Sequence, residues 1–264
     1  MGGAYRYDGS FAGLLTLLAR LLPKRVLPDA IGVDLPPQQS LFAEVKEVDT
    51  DQELVERFWP ELAARLTAAS IHYIRLAFLA DSLGRELLIC RHCLLAWEVG
   101  RKSGGMLAHP DVAPLWKLGQ QVGREAHRYL GFVRFQEVGG RLYYAAIAPD
   151  HRILPLIAPH FAARFSDQQW VIHDRNHGEG IVYDRQRREW LLLPMEQSGE
   201  PDPTPAEELF QELWQSYFAT LAIAQRENLR LQQGKVPLKV RPWLVEFTPP
   251  GRVLSVPPDC SPDG

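Results

Sequence analysis

The stretch VGREAHRYLGFVRF, Val122 to Phe135, decides the fold because the period of its apolar residues changes within it. Upstream, Leu115, Leu118, Val122, Ala126 and Tyr129 fall on one narrow sector of a helical wheel. Lys117, Gln121, Arg124 and Arg128 recur on the opposite side at helical spacing. One face is built to pack and the other carries cations. His127 stands beside the cationic stripe, where an imidazole carries charge or stays neutral near physiological pH. Beyond Gly131 the period falls from about 3.6 residues to about 2, so helix gives way directly to strand.

Working outward, residues 132–138, the pair Gly139-Gly140 and residues 141–148 form the clearest hairpin, since two glycines supply the positive φ of a tight primed turn. A two-residue turn sets Val138 opposite Arg141. That register puts Val133, Phe135, Leu142, Tyr144 and Ala146 on the core side, and Arg134, Gln136 and Tyr143 on the other. A planar guanidinium beside a phenol ring suits phosphate contact and base stacking, although exposed cross-strand pairs are usually only structural. Pro155 and Pro159 delay the next helix until Pro159 takes the first helical position, with Phe161 and Phe165 on one face and His160 and Arg164 on another. Residues 170–174, 180–185 and 189–193 read as three further strands, which with the hairpin make an antiparallel sheet of about five.

The earlier chain reads differently. Residues 4–7 form a short strand, and Asp8-Gly9-Ser10 is a turn whose Asp or Ser caps a helix over 11–22. Pro23, Pro28, Pro36 and Pro37 mark an extended connection without regular structure. A strand over 41–48 follows, then a helix to Leu66 capped by Thr50 or Asp51, with Glu53 in a capping-box position and Phe58 and Leu62 as anchors. Helical patterns over 70–79 and 83–102 end at Gly104 and Gly105. Past a Pro- and Glu-rich loop, the helix over 207–224 carries doubled apolar anchors, Leu209/Phe210, Leu213/Trp214 and Tyr217/Phe218, the pattern of burial against a sheet. Arg226, Arg230, Lys235, Lys239 and Arg241 then face a single Glu227 before Trp243. The predicted fold is α+β, in three regions: a mainly helical 4–110 with an early strand, an α+β domain over 111–247 whose sheet is covered by helices, and a Pro-rich, disordered tail over 248–264.

Composition sets the outer bounds. With 264 residues and 46% hydrophobic content the chain can bury a sizeable core, and a net charge of −3 means that any polyanion site is a local patch. Three cysteines, two in Cys90-Arg-His-Cys93, do not make a secreted disulfide framework, so a cytoplasmic location is expected. No stretch is long and apolar enough to imply a membrane partner. Cys90 and Cys93 with His92 lack a second cysteine pair, and His173 and His177, around Asp174, straddle a predicted turn. Neither motif predicts a metal, and no nucleotide fingerprint or nucleophile elbow predicts a cofactor.

Several ordered motifs carry a family likeness: Tyr7-Asp8-Gly9-Ser10-Phe11 with Gly13 and Leu14, Gln39-Ser40-Leu41-Phe42, Val122 to Phe135, Ala158-Pro159-His160-Phe161 with Arg164-Phe165, Trp170 with Ile172-His173-Asp174, and Leu213-Trp214 with Tyr217-Phe218. On these the chain, from Tyr5 to about Phe247, resembles the bacterial family of probable DNA metabolism proteins, which is built on a domain of unknown function. The likeness implies a radical S-adenosylmethionine protein as partner, in modification or repair of DNA, and a kinship with domains fused to uracil-DNA glycosylase-like domains. The chain departs from the family at Val236-Pro237-Leu238-Lys239, where a basic Met-Pro-Lys type segment is usual.

Three functions follow as expectations. The first is an accessory subunit that binds DNA, single-stranded or damaged DNA included, through Lys117, Arg124, His127, Arg128, Arg134, Tyr143, His160 and Arg164. The second is an enzyme acting on a nucleobase or glycosidic bond, with Asp8, His127 and Asp174 as catalytic candidates. The third is a protein-binding scaffold whose aromatic C-terminal helix docks the partner.

Overall fold

The computed structural model describes residues 3–34, 45–139, 141–195, 203–221 and 229–247. Gln39 to Phe42, Gly140 and the predicted tail therefore lie outside the described residues. The chain divides into two compact units, Met1–Arg124 and Glu125–Gly264.

In the first unit, β1 (Ala4–Arg6) lies between β2 (Ala30–Gly32) and β3 (Val45–Glu47) and runs parallel to both. β2 falls in the stretch expected to be irregular. The prolines flank it without entering it, so Ala30, Ile31 and Gly32 keep the amide protons that a strand needs. α1 (Phe11–Leu21) is capped by Ser10, whose Oγ accepts from the Gly13 amide at 2.9 Å. Asp51, and not Thr50, caps α2 (Gln52–Arg65), accepting from Leu54 N at 2.9 Å. The Thr50 hydroxyl instead donates to Asp8 Oδ2 at 2.7 Å. Gly13 is needed beneath this knot, because a Cβ there would collide with Asp8 Oδ1 and Thr50 Oγ1. Phe58 and Leu62 are buried, as their spacing predicts. α3 (Ala68–Phe78) and α4 (Arg85–Val99) complete the helical set before α5 (Ala113–Phe132), within which the division of the two units falls.

α5 follows its sequence pattern closely. Leu115, Leu118, Val122, Ala126 and Tyr129 are all buried, and Lys117, Gln121, Arg124 and Arg128 are all exposed. The helix runs one residue past Gly131, the Val133 amide still donates to the Tyr129 carbonyl at 3.2 Å, and residues 133–135 join no strand before β4 (Gln136–Val138).

The second unit holds a five-stranded sheet in the order β4-β5-β6-β7-β8, with β5 (Leu142–Ile147), β6 (Gln169–Asp174), β7 (Glu179–Asp184) and β8 (Glu189–Pro194). The strand count matches expectation, but the sheet is mixed: β5 and β6 are parallel and the other pairs antiparallel. α6 (Leu154–Arg164) lies between β5 and β6 in the chain and returns it to the same end of the sheet, as a parallel pair requires. α6 also begins before Pro159. Pro155 sits in its first turn, where a missing amide proton has no consequence, and Pro159 forgoes only the bond to the Pro155 carbonyl.

The hairpin register is one residue off the expected one. Val138 pairs with Leu142 and Gln136 with Tyr144, so three residues connect the strands, and Arg141 adopts φ 65°. Gln136, expected outside, is buried on the same face as Tyr144. Phe135 joins the opposite face, its ring meeting Phe161 at 5.6 Å, Phe165 at 5.5 Å and Trp170 at 5.9 Å. Trp170 stacks on Tyr183 at 5.1 Å between neighbouring strands on that face. The described C-terminal elements are α7 (Pro205–Leu221), α8 (Leu229–Lys235) and two short 3-10 turns, Leu238–Trp243 and Val245–Phe247.

Candidate functional site

A groove of about 1450 Å³ opens in the second unit between the end of α5, the residues leading into β4, α6 and α7. Six residues singled out from the sequence line it: His127, Arg128, Arg134, Tyr143, His160 and Arg164. The geometry follows from what each helix buries. Burial of Ala126 and Tyr129 turns His127 and Arg128 outward on α5, and burial of Phe161 leaves His160 and Arg164, one turn apart, on the open side of α6. Phe132, Phe135, Phe161 and Phe165 line the groove with Tyr143, while α7 contributes Phe210 and Trp214, also one turn apart. Lys235 contributes a further cation.

The cations are not equivalent. Arg128 lies over the Phe132 ring at 5.8 Å and Arg164 over Phe165 at 5.7 Å, each a cation–π contact that orients the guanidinium. Among the described residues neither is ion-paired with a carboxylate, nor is His127, His160 or Lys235. Arg134 differs. Expected to grip backbone as a free charge, it is paired with Glu246 at 2.7 Å and also donates to the Gly131 carbonyl at 2.7 Å. Of the two groove carboxylates, Glu207 is engaged by the Glu137 amide at 3.2 Å and by Gln211 Nε2 at 3.0 Å.

Lys117 and Arg124 do not line the groove; they belong to the first unit, where Arg124 donates to Gln120 at 3.3 Å. Of the basic arm, Lys239 is tied to Glu125 and Asp150, and Arg241 donates to Gln232 and covers the Phe247 ring. The doubled anchors of α7 were expected to be buried. Instead Gln211 faces inward, and Leu209, Phe210, Leu213 and Trp214 are exposed, while the side chains of the third pair, Tyr217 and Phe218, lie outside the described residues. Phe132, Phe165, Phe210, Trp214 and Lys235 are among the groove residues that the predicted site left out. The one available signal was the size of α7's apolar face, too wide for a single buried stripe.

Two of the three catalytic candidates are engaged elsewhere. Asp8, in the first unit, accepts from Thr50 Oγ1 and from the Ser10 amide and hydroxyl; the Thr50 bond above all holds its carboxyl below the usual carboxylate range. Asp174 is wholly buried and does not line the groove. Its Oδ1 accepts from the amides of Asn176 and His177, and its Oδ2 lies 2.6 Å from His177 Nδ1. His173, next along β6, points to the other face and meets the Tyr144 hydroxyl at 2.8 Å. Burial lowers the His173 pKa, with Arg175 adding to the effect. His127 alone of the three candidates lines the groove. Cys90 and Cys93 are buried in α4, and desolvation pushes the Cys90 thiol up to about 12 and Cys93 further, the opposite of a reactive thiolate. Among the described residues no group of three or more His, Cys, Asp or Glu is placed to hold a metal ion, and no helix is long and apolar enough to cross a membrane.

A family model described as a domain of unknown function, DUF4130, matches residues 83–246, more than half of the chain. The chain belongs to the DUF4130 family. No curated protein and no solved structure matches it. The DUF4130 match begins just before α4 and takes in α5, the whole five-stranded sheet and the groove, so every lining residue named above lies inside the family domain. Asp8 and the parallel sheet of the first unit lie outside it.

Proposed function

We propose that this chain is a nucleic-acid-binding accessory protein of DNA metabolism, and that the aromatic groove is where it holds the strand. One observation carries the proposal: His127, Arg128, His160, Arg164 and Lys235, without carboxylate partners among the described residues, line the same groove as Phe132, Tyr143, Phe165, Phe210 and Trp214. Cations beside ring faces are the two components of sequence-tolerant nucleic-acid binding. At about 1450 Å³ the groove exceeds the roughly 300–1,000 Å³ of ordinary small-molecule pockets, which favours a polymer segment over a metabolite. The setting in DNA modification or repair, and a radical S-adenosylmethionine protein as partner, come from the family resemblance drawn from the sequence motifs. Filter binding of DNA over a salt series tests the proposal. Binding should weaken steeply with salt, and Arg128→Ala with Arg164→Ala should flatten the slope; salt-independent retention, or none, would refute it.

A second reading, a scaffold that docks a protein partner, is favoured by Leu209 and Leu213, which are exposed on α7 but do not line the groove. Co-purification with the partner that survives Arg128→Ala and Arg164→Ala but not Leu209→Asp with Leu213→Asp would assign the two roles to two surfaces.

A further inference from the structure

We infer that the groove takes unpaired nucleotides, not an intact duplex: bases lie against Tyr143, Phe210 and Trp214, and the backbone runs along Arg128, Arg164 and Lys235. The inference rests on the nucleic-acid reading of the groove and narrows it to one class of substrate.

Charge argues first against a duplex. Proteins that hold duplex DNA mainly by its phosphates neutralise roughly 6–10 of them. Here the permanent cations lining the groove and left without carboxylate partners among the described residues are Arg128, Arg164 and Lys235, since Arg134 is taken by Glu246. A net charge of −3 supplies no bulk attraction to make up the difference. Three phosphate contacts make a weak duplex binder, so affinity must come from elsewhere.

The ring faces supply it. Phe210 is 62% exposed and Trp214 38%, on a helix wall beside half-buried Phe132, Tyr143 and Phe165. In a duplex each base is already stacked above and below, and the surface offers such rings base edges, sugar and phosphate but no open π-face. An unpaired base offers a free π-face, and each one stacked on an aromatic side chain multiplies affinity by roughly fivefold to a hundredfold. Two or three stacked bases outweigh the missing phosphate contacts. Arg128 and Arg164 fit the same arrangement, since each guanidinium is held over a ring of the groove, beside the path of a strand whose bases turn inward.

Fluorescence anisotropy with three labelled probes of one length separates the terms: a single strand, the same strand annealed to its complement, and an abasic strand that keeps every phosphate and lacks every base. The single strand should bind at least tenfold more tightly than either of the others. Phe210→Ala with Trp214→Ala should bring the single strand down to the abasic level and leave the abasic strand unchanged; Phe210→Ala alone, at a side chain 62% exposed, removes little packing and should by itself weaken the single strand about fivefold or more. Equal or tighter binding of the duplex, or an abasic strand that binds as well as the intact one, overturns the inference while leaving a nucleic-acid role in place. Failure to bind any of the three at low salt overturns that role as well and leaves the α7 surface as a protein contact.

Discussion

The guanidinium of Arg134 and the carboxylate of Glu246, 112 residues apart in sequence, meet at 2.7 Å and join the end of α5 to the last described turn of the chain. Arg134 also donates to the Gly131 carbonyl, one of the acceptors a helix leaves open at its C-terminal end. The Glu246 side chain is only 9% exposed, so Arg134→Ala would strand a carboxylate away from water. The expected loss is about 1–3 kcal/mol, read as a lower urea midpoint with an unchanged m-value. Glu246→Gln keeps an acceptor and should cost less. If Arg134 were chiefly a phosphate contact, Arg134→Ala would instead leave the midpoint in place and lower DNA affinity.

His92 should make the first unit sensitive to acid. It is wholly buried in α4 against the edge of Trp116 at 5.1 Å, with no hydrogen-bond partner among the described residues for either ring nitrogen. Burial lowers its pKa to about 4, Asp111 opposing the shift only in part. Between about 4 and the ordinary 6.5 the unfolded chain takes up a proton that the fold refuses, so stability rises with pH across that window and is lost as pH falls through it. The whole effect is about 3 kcal/mol at most. Thermal melts of the native protein should drop between pH 6.5 and pH 4, and His92→Met, apolar and close in volume, should remove most of that drop. An equal drop in the variant would place the acid sensitivity elsewhere.

α5 was legible because one signal governed it: a strong 3.6-residue period whose apolar and cationic positions are all where the wheel puts them. The same logic placed His160 and Arg164 on one face of α6, and with His127 and Arg128 of α5 these four line one groove. The misses came where non-local pairing decides. Nothing within Ala30–Gly32 announces a strand; only its pairing with β1 makes it one. The parallel β5–β6 pair depends on where α6 delivers the chain, and the hairpin register on Arg141 taking a conformation usually left to glycine. Arg134, read from the sequence as a backbone contact, lines the groove, but its charge is claimed by a carboxylate that sequence distance concealed.

Asp174 is a structural residue of the β6–β7 turn, so its replacement should act on stability and leave binding alone. It accepts two turn amides and contacts the His177 imidazole from a fully buried position. Asp174→Asn can still accept from the amides, but it turns a second donor or a mismatched acceptor toward His177. A loss of about 1–3 kcal/mol is expected by thermal or urea unfolding, with DNA affinity unchanged at temperatures where the variant is folded. A variant of native stability that has lost an activity on DNA would restore Asp174 as a catalytic candidate.

The two ends of the α5 cationic stripe should behave differently, although the sequence presents them as one surface. Lys117 and Arg124 do not line the groove, whereas Arg128 does and is held over Phe132. For single-stranded DNA each phosphate neutralised contributes about 0.7 to the slope of log K against log salt. Arg128→Ala and Arg164→Ala should therefore each flatten the slope by about that amount, and the double variant by about twice it. Lys117→Ala with Arg124→Ala should leave the slope unchanged, since both are exposed and neither is required by the fold. Salt titrations of the four variants and the unaltered protein on one oligonucleotide decide the matter. Equal flattening by both double variants would extend the nucleic-acid surface along the whole stripe and deny the groove its special role.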